Sequence, residues 1–458
     1  MTTANRYGVS PLHVACLNGS PRVIEALLKA GAPAGTSSPA GETGLMTCAR
    51  TGNVATLKAL VDAGADVNAT ESWRGQTALM WAAAEGHTAA VEFLISRGAD
   101  VHARSKEEGV TVGAAGVRVA GARVTGGLTP LLYAVRDGDL ATAEVLLGAG
   151  ASLKDTSADG TSALMLAILN AHYELAAFLL DRGADPNVPD ARHGSALHAL
   201  AWVRRQAPGI GMGSSPMFPR IPTGDIDGLA LGKKLLAKGA NPNARFKVED
   251  PKYSRGASGN TFYYVTNPPD FALSVSTLNW DGATPLWLAA KNADAPYMRL
   301  LAEHGADPQA TNRVSVTPLM AAAGAGFMQG EHPGTEAEAL ETTKVALELG
   351  NAIHAVAKYH DDEERADYRF SEMTALHGAA QRGANSIVKL LVERGARLDA
   401  KTREGWTPFN IADGIQIGGT FKNSPDTAAL LRSLMTERGL KVEEIHLDTF
   451  TAAEKSGR

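Results

Sequence analysis

The sequence predicts an all-α solenoid of about ten helix-turn-helix units, with β-hairpin fingers between them and several loop insertions. Three observations predict it. A short pattern beginning Ser10-Pro11-Leu12-His13-Val14-Ala15 returns ten times, usually 33 residues later. It recurs, for example, as Thr77-Ala78-Leu79-Met80-Trp81-Ala82 and as Thr284-Pro285-Leu286-Trp287-Leu288-Ala289. A Leu-Leu-x-x-Gly-Ala element follows about twenty residues after the Pro, or the Ala or Gly that replaces it, at the pattern's second position. A fixed period in this range marks stacked supersecondary units, each covering the apolar face of the next.

Each element has a physical reason. Pro at the first helical turn lacks an N–H that would have no partner there anyway. The Thr or Ser before it caps that turn. Ala15, Ala49, Ala82, Ala134 and Ala289 are small and let paired helices approach. Val23, Ile24, Leu27 and Leu28 form an apolar stripe at helical spacing that needs a neighbouring unit to cover it. Gly31, Gly64, Gly98, Gly150, Gly183, Gly239, Gly305 and Gly395 end the second helices, where the left-handed conformation suits glycine. Asp66-Val67-Asn68 and Asp185-Pro186-Asn187 then open the next turn.

This arrangement resembles the ankyrin repeat: a finger turn, Thr-Pro-Leu-His opening one helix, a Gly, a second helix, then Gly-Ala-Asp. With the Pro position as marker, repeats stand at Pro11, Gly44, Ala78, Pro130, Ala163, Ala196, Pro285, Pro318, Ala375 and Pro408. The resemblance spans nearly all of residues 5–438 and implies an ankyrin-repeat solenoid. One array over residues 1–440, followed by a charged tail at 441–458, is the expected organisation. The recurring Gly75 to Ala84 segment is similar to those of large bacterial ankyrin proteins. His13, His198 and His377 occupy the Thr-Pro-Leu-His slot, where the resemblance implies inter-repeat hydrogen bonding, and His87 reads the same way.

The period also serves as a ruler. Marker spacings run 33, 34, 52, 33, 33, 89, 33, 57 and 33. Fingers are lengthened near 104–126, 245–279 and 352–371, and turns between paired helices near 204–227, 325–340 and 413–425. The insert running from Val110-Thr111-Val112 to Val124-Thr125-Gly126 alternates apolar and polar residues and reads as an extended β-hairpin. Antiparallel helices place the two kinds of insert at opposite edges. The first repeat is as apolar as an internal one, although a terminal repeat ordinarily has a polar outer face. An array continuing upstream, a covering partner, or end-to-end self-association through this uncapped repeat would each account for it.

Composition narrows the function. Net charge is −5, so no nucleic acid is expected as a partner. No apolar run is long enough to span a bilayer, and no membrane insertion is expected. No signal peptide is visible, so the chain reads as cytoplasmic by default, or exported if the native chain begins upstream. Cys16 and Cys48, the two cysteines, sit on the first helices of adjacent repeats and read as small buried core residues.

No catalytic constellation emerges, and the chain reads as a non-enzyme with no cofactor and no metal. Gly209-x-Gly211-x-Gly213 lacks the Gly-Lys-Ser/Thr of a phosphate loop. Ser214 and Ser215 have no nucleophile-elbow context. The histidines are not at metal-ligand spacing.

What remains is a binding surface. The ankyrin resemblance implies contacts through finger tips and late first-helix positions. By register the helix positions are Leu17/Asn18, Arg50/Thr51, Ala84/Glu85, Arg136/Asp137, Leu169/Asn170, Trp202/Val203, Lys291/Asn292 and Gln381/Arg382. Finger positions include Tyr7, Trp73, Trp280 and Trp406, and the insert near repeat six adds Phe262, Tyr263, Tyr264 and Phe271. Each ring is either an interface hot spot or a packing ring stacked on the neighbouring finger. The expected function is a non-catalytic scaffold that binds another protein on a concave face. The alternative is a ligand-binding or enzymatic site built by the inserts around repeat six.

Overall fold

The computed structural model describes residues 5, 9–110, 123–189, 194–205, 222, 224–246, 282–325, 334–358, 372–414 and 424–443. They fall into two compact units, Met1–Ala191 with Pro222–Asp227, and Arg192–Ile221 with Gly228–Arg458. The fold class is all-α, and each unit is a stack of five helix pairs.

In the first unit the inner helices are α1 (Pro11–Leu17), α3 (Gly44–Thr51), α5 (Ala78–Ala84), α7 (Pro130–Asp137) and α9 (Ala163–Leu169). Their outer partners are α2 (Pro21–Lys29), α4 (Val54–Asp62), α6 (Thr88–Ser96), α8 (Leu140–Gly148) and α10 (Tyr173–Asp181). In the second unit the inner helices are α11 (Ala196–Val203), α13 (Pro285–Lys291), α15 (Pro318–Ala323), α17 (Ala375–Arg382) and α19 (Pro408–Asp413). The outer ones are α12 (Gly228–Ala237), α14 (Ala295–Glu303), α16 (Glu336–Glu348), α18 (Asn385–Glu393) and α20 (Pro425–Glu437). All ten inner helices begin at the marker residue. The cause is local: in repeat three, for instance, Thr77 is extended and its hydroxyl accepts from the Met80 amide.

In repeats one to five, seven and nine the turn between paired helices carries a left-handed residue eight positions after the marker. Gly52 and Gly138 fill it with φ of 73° and 84°. Ala171 and Ala293 fill the same slot at φ 60° and 55°, which costs a residue with a Cβ about 1–2 kcal/mol.

Helices this short are not stable alone, and inner helices pack on the inner helices of adjacent repeats within each unit. Ala49, Ala82, Ala134 and Ala289 at those contacts are fully buried. Histidine ties the layers together. His13, His198 and His377 each hold the N-cap of their own helix through Nδ1 and reach the next repeat through Nε2. The Nε2 partners are the carbonyls of Glu42, Ala283 and Trp406 at 2.9, 3.1 and 3.0 Å. Because a backbone N–H donates to Nδ1 of His198 and of His377, the proton sits on Nε2 and the ring donates from there. His87 makes a different bridge: its Nε2 bonds the Arg50 carbonyl at the end of α3.

A buried ion pair links elements 90 positions apart in the second unit. Arg204, just after α11, binds Asp294 through Nε and an Nη at 2.8 and 3.1 Å. Asp294 has no exposed surface, and its Oδ1 also caps α14 by accepting from the Tyr297 amide.

Two expectations change. Cys16 and Cys48 are fully buried, as expected of core residues, but they form a disulfide between α1 and α3. The insert placed near 325–340 ends earlier. Thr335 and Glu338 form a capping box that starts α16 at Glu336, inside the span assigned to a loop. The finger insert after repeat three opens and closes as paired strands, β1 (Glu107–Val110) and β2 (Arg123–Gly126), with Glu107 opposite Gly126 and Val110 opposite Arg123.

Two outcomes follow for stability. Burial pushes the imidazoles of His198 and His377 down to about 4, against the opposing pull of their carbonyl bonds. Between pH ~6.5 and ~4 the unfolded chain therefore binds protons that the folded second unit refuses. Stability present above pH 6.5 is lost as the pH falls, by about 1.4 kcal/mol per pH unit for each ring. Urea unfolding at pH 7, 6 and 5 reads this directly, and His377→Asn should remove about half of the slope. Separately, Asp294→Ala strands the Arg204 guanidinium and should cost about 3 kcal/mol in the same measurement, whereas Lys58→Ala at an exposed pair should cost under ~1 kcal/mol.

Candidate functional site

The late first-helix positions divide sharply along the chain. In repeats one to four Leu17, Asn18, Arg50, Glu85 and Asp137 are exposed, with Thr51, Ala84 and Arg136 half-buried. From repeat five onward most of them close: Leu169, Asn170, Val203, Lys291, Asn292 and Arg382 are buried, with Trp202 and Gln381 half-buried. Asn292 is turned inward because its amide donates to the Ala201 carbonyl. Burial lowers the Arg382 guanidinium to about 10, with Glu336 acting in the opposite direction.

Two expected site residues are therefore corrected. Lys291, in the last turn of α13, is only 5% exposed, in a helix packed between α11 and α15. Trp406 is 4% exposed. Its amide donates to Thr402 Oγ1 and its carbonyl accepts from His377, so the residue is part of the seam between repeats nine and ten. Trp202 is half-buried. Tyr7, Phe262, Tyr263, Tyr264, Phe271 and Trp280 lie outside the described residues.

Trp73 stands apart, with 67% of its surface exposed, the highest among the described large apolar side chains. Its turn is rigidly built. The buried Glu71 carboxylate accepts from the amides of Trp73, Arg74 and Gln76 at 2.6, 2.7 and 2.9 Å. Ser72 donates its amide to the Ala40 carbonyl, and Lys106 donates its own to Arg74, each at 2.7 Å, so the finger is zipped to both neighbours. Gly75 completes the turn at φ +65°, where a Cβ would lie 3.2 Å from the Lys106 amide. The Arg74 guanidinium lies 4.5 Å from the Trp73 ring centroid.

A second cation–aromatic pair sits on the inner helices. Arg50 lies 5.2 Å over the Trp81 ring, its carbonyl held by His87. In repeat four Arg136 lies 5.0 Å over Tyr133 and pairs with Asp137, while the Tyr133 hydroxyl accepts from the Gln76 amide. Arg50, Trp73 and Arg136 are thus brought onto one unit, on neighbouring repeats. Glu71, Arg74 and Trp81 are the members that sequence reasoning passed over. Glu71 had a local signal, an acid just ahead of the Trp73-Arg74-Gly75 turn; the Trp81 contact with Arg50 follows only from stacking adjacent repeats.

Among the described residues no group of three His, Cys, Asp or Glu is placed to hold a metal. An open recess of about 560 Å³ runs beside Leu147, Leu153, Lys154 and Arg182, but Arg182 is engaged with Glu144 and no acid–base pair lines it. No helix among the described residues is long and apolar enough to cross a membrane.

Comparison with known proteins agrees with the geometry. Family models described as ankyrin repeats match residues 12–105 and 115–190 (three copies), 359–412 (many copies) and 281–313 (a single repeat). These spans together exceed half of the chain, and the chain belongs to the ankyrin repeat family. It is 31% identical over 131 residues to a transient receptor potential cation channel subfamily A member 1 homolog of Caenorhabditis elegans, across 29% of this chain and 9% of that protein. The chain thus spans under a tenth of the length of that relative. Among solved structures it is similar to the ankyrin repeat domain of Bcl-3, a member of the IkappaB protein family, at 26% identity and TM-score 0.36, over 43% of this chain and 80% of that one.

Glu71→Gln keeps the shape but removes the charge that gathers the turn's amides. Hydrogen exchange at Trp73, Arg74 and Gln76 should accelerate about thirtyfold, the equivalent of ~2 kcal/mol for charged hydrogen bonds. Exchange at Leu166 and Ile168 should not change.

Proposed function

We propose that the chain is a non-catalytic scaffold that binds another protein through the inner helices and fingers of repeats one to four. The observation that carries this reading is Trp73: a large, exposed ring on a turn fixed by a buried carboxylate and by both neighbouring fingers. An exposed ring held this firmly loses little conformational freedom on docking, which is how Trp and Arg come to dominate interfaces. Arg50 over Trp81 and Arg136 over Tyr133 extend the surface to the inner helices. Membership of the ankyrin family supports protein partners in general, and the identity of this partner rests on experiment.

A second reading concerns the first repeat. Val14, Leu17 and Val23 are 47%, 50% and 48% exposed, three of the five large apolar side chains so exposed among the described residues. A patch of this kind favours end-to-end self-association.

Two measurements separate the readings. Once a partner has been recovered by affinity capture and identified, titration with Trp73→Ala/Arg50→Ala should show at least a ~10-fold loss of affinity. Circular dichroism should be unchanged, and the outer-helix variant Lys58→Ala should bind as the parent does. Equal affinity in all three would refute the placement. For the second reading, light scattering should show mass rising with concentration in the parent and not in Leu17→Glu/Val23→Glu.

A further inference from the structure

The chain has two cysteines, and they are bonded to each other. Cys16 stands five residues after its marker Pro11, and Cys48 four after Gly44. In other repeats the first slot holds Ala49, Ala83 or Ala290, and the second Ala82, Ala134 or Ala289. These are the small residues at which successive inner helices meet. The two thiols thus occupy the two sides of one helix–helix contact, with Cα atoms 4.6 Å apart. Cysteines used only as small apolar residues would have no reason to fall opposite each other.

We propose that this bond is a permanent crosslink, closed as the chain folds in an oxidising compartment, that clamps the first repeat onto the second. Its placement answers a need. A repeat whose outer helix is little covered opens at a low cost in free energy. Of the nine residues of α2, only Ile24 is buried. Joining α1 to α3 covalently holds the least covered repeat at the seam where it would part, and it removes freedom from the unfolded chain.

Burial separates a permanent clamp from a switch. Neither sulfur has any exposed surface, so a thiolate has no line of approach until the repeat opens. A regulatory disulfide needs that approach. The Gly44 carbonyl lies 3.0 Å from Cys16 Sγ and would accept the thiol proton of the reduced chain, so the unbonded state can still fold.

The chemistry requires an oxidant, here a disulfide-bearing thiol oxidase or small-molecule disulfide. One cysteine thiolate attacks a sulfur of the oxidant, forming a mixed disulfide and releasing one oxidant thiolate. The second cysteine thiolate then attacks the chain's sulfur in that mixed disulfide. This closes Cys16–Cys48 and releases the other thiolate. The chain loses two protons and two electrons, and the oxidant disulfide becomes a dithiol. Such bonds persist outside the reducing cytosol, which is where this inference places the folded chain. It does not depend on the Trp73 surface.

The test begins with thiol trapping in cells that express the chain naturally, using a polyethylene-glycol maleimide added under acid quench and denaturation. No mobility shift should appear without prior reductant, and two additions should appear after it. Tryptic digestion without reductant should yield residues 7–22 crosslinked to residues 30–50. Free thiols in the trapped chain would overturn the proposal. The clamp is tested on the purified full chain by hydrogen exchange before and after reduction. Amides of residues 11–29 should lose protection about tenfold or more, while those of residues 163–181 should not change. Cys48→Ala should reproduce the reduced profile. Unchanged protection in residues 11–29 of the reduced chain would overturn the clamp.

Discussion

An inner helix of six to eight residues is too short to hold itself in water. Everything in this chain follows from that constraint. Each helix exists because its neighbour covers it, and the contact between successive inner helices sets the terms. Alanine at that contact brings the backbones close, and closeness lets a histidine of one repeat reach a carbonyl of the next. The same closeness aligns fingers so that backbone amides cross between them, as from Lys106 to Arg74. The rigidity of the Trp73 turn is therefore borrowed from the stack; the turn alone would not have it.

The stack is built by repetition but not uniformly. The end positions of the first helices, open in repeats one to four, are mostly closed from repeat five onward, in part by inward-turned polar groups such as Asn292. Specialisation of this kind needs no change in the helices themselves. It exchanges a solvated side chain for one whose hydrogen bond lies inside, and it restricts where a partner could find unoccupied surface.

Much of the fold could be read from the sequence because its determinants are local. A Ser or Thr cap, a Pro at the first turn, and a glycine at a fixed offset act within a few residues, and all ten inner helices start where those signals put them. Thr335 and Glu338 were equally local and show that an apparent loop begins a helix. What sequence could not reveal depends on contacts between distant residues. Arg204 and Asp294 have no mutual signal across 90 positions. Lys291 and Trp406 have the composition of surface residues and the burial of core ones, because exposure is decided by what stacks above. Cys16 and Cys48 are an intermediate case. Their register was visible, but reading it as a bond required knowing that those two slots face each other.

The paired strands after repeat three carry a wider consequence. Ser105 and Leu128 bond to each other at the base of this excursion, backbone to backbone and hydroxyl to amide, and Gln76 reaches Tyr133 across 57 positions as if nothing intervened. The stack is thus sealed beneath the hairpin, and its length enters the free energy only through loop closure, at roughly 0.6 kcal/mol per doubling. In such a chain a finger is a socket. Lineages could exchange the segment that β1 and β2 bracket for a different one, or a protein engineer could seat a foreign domain there, and the repeats on either side would keep their register.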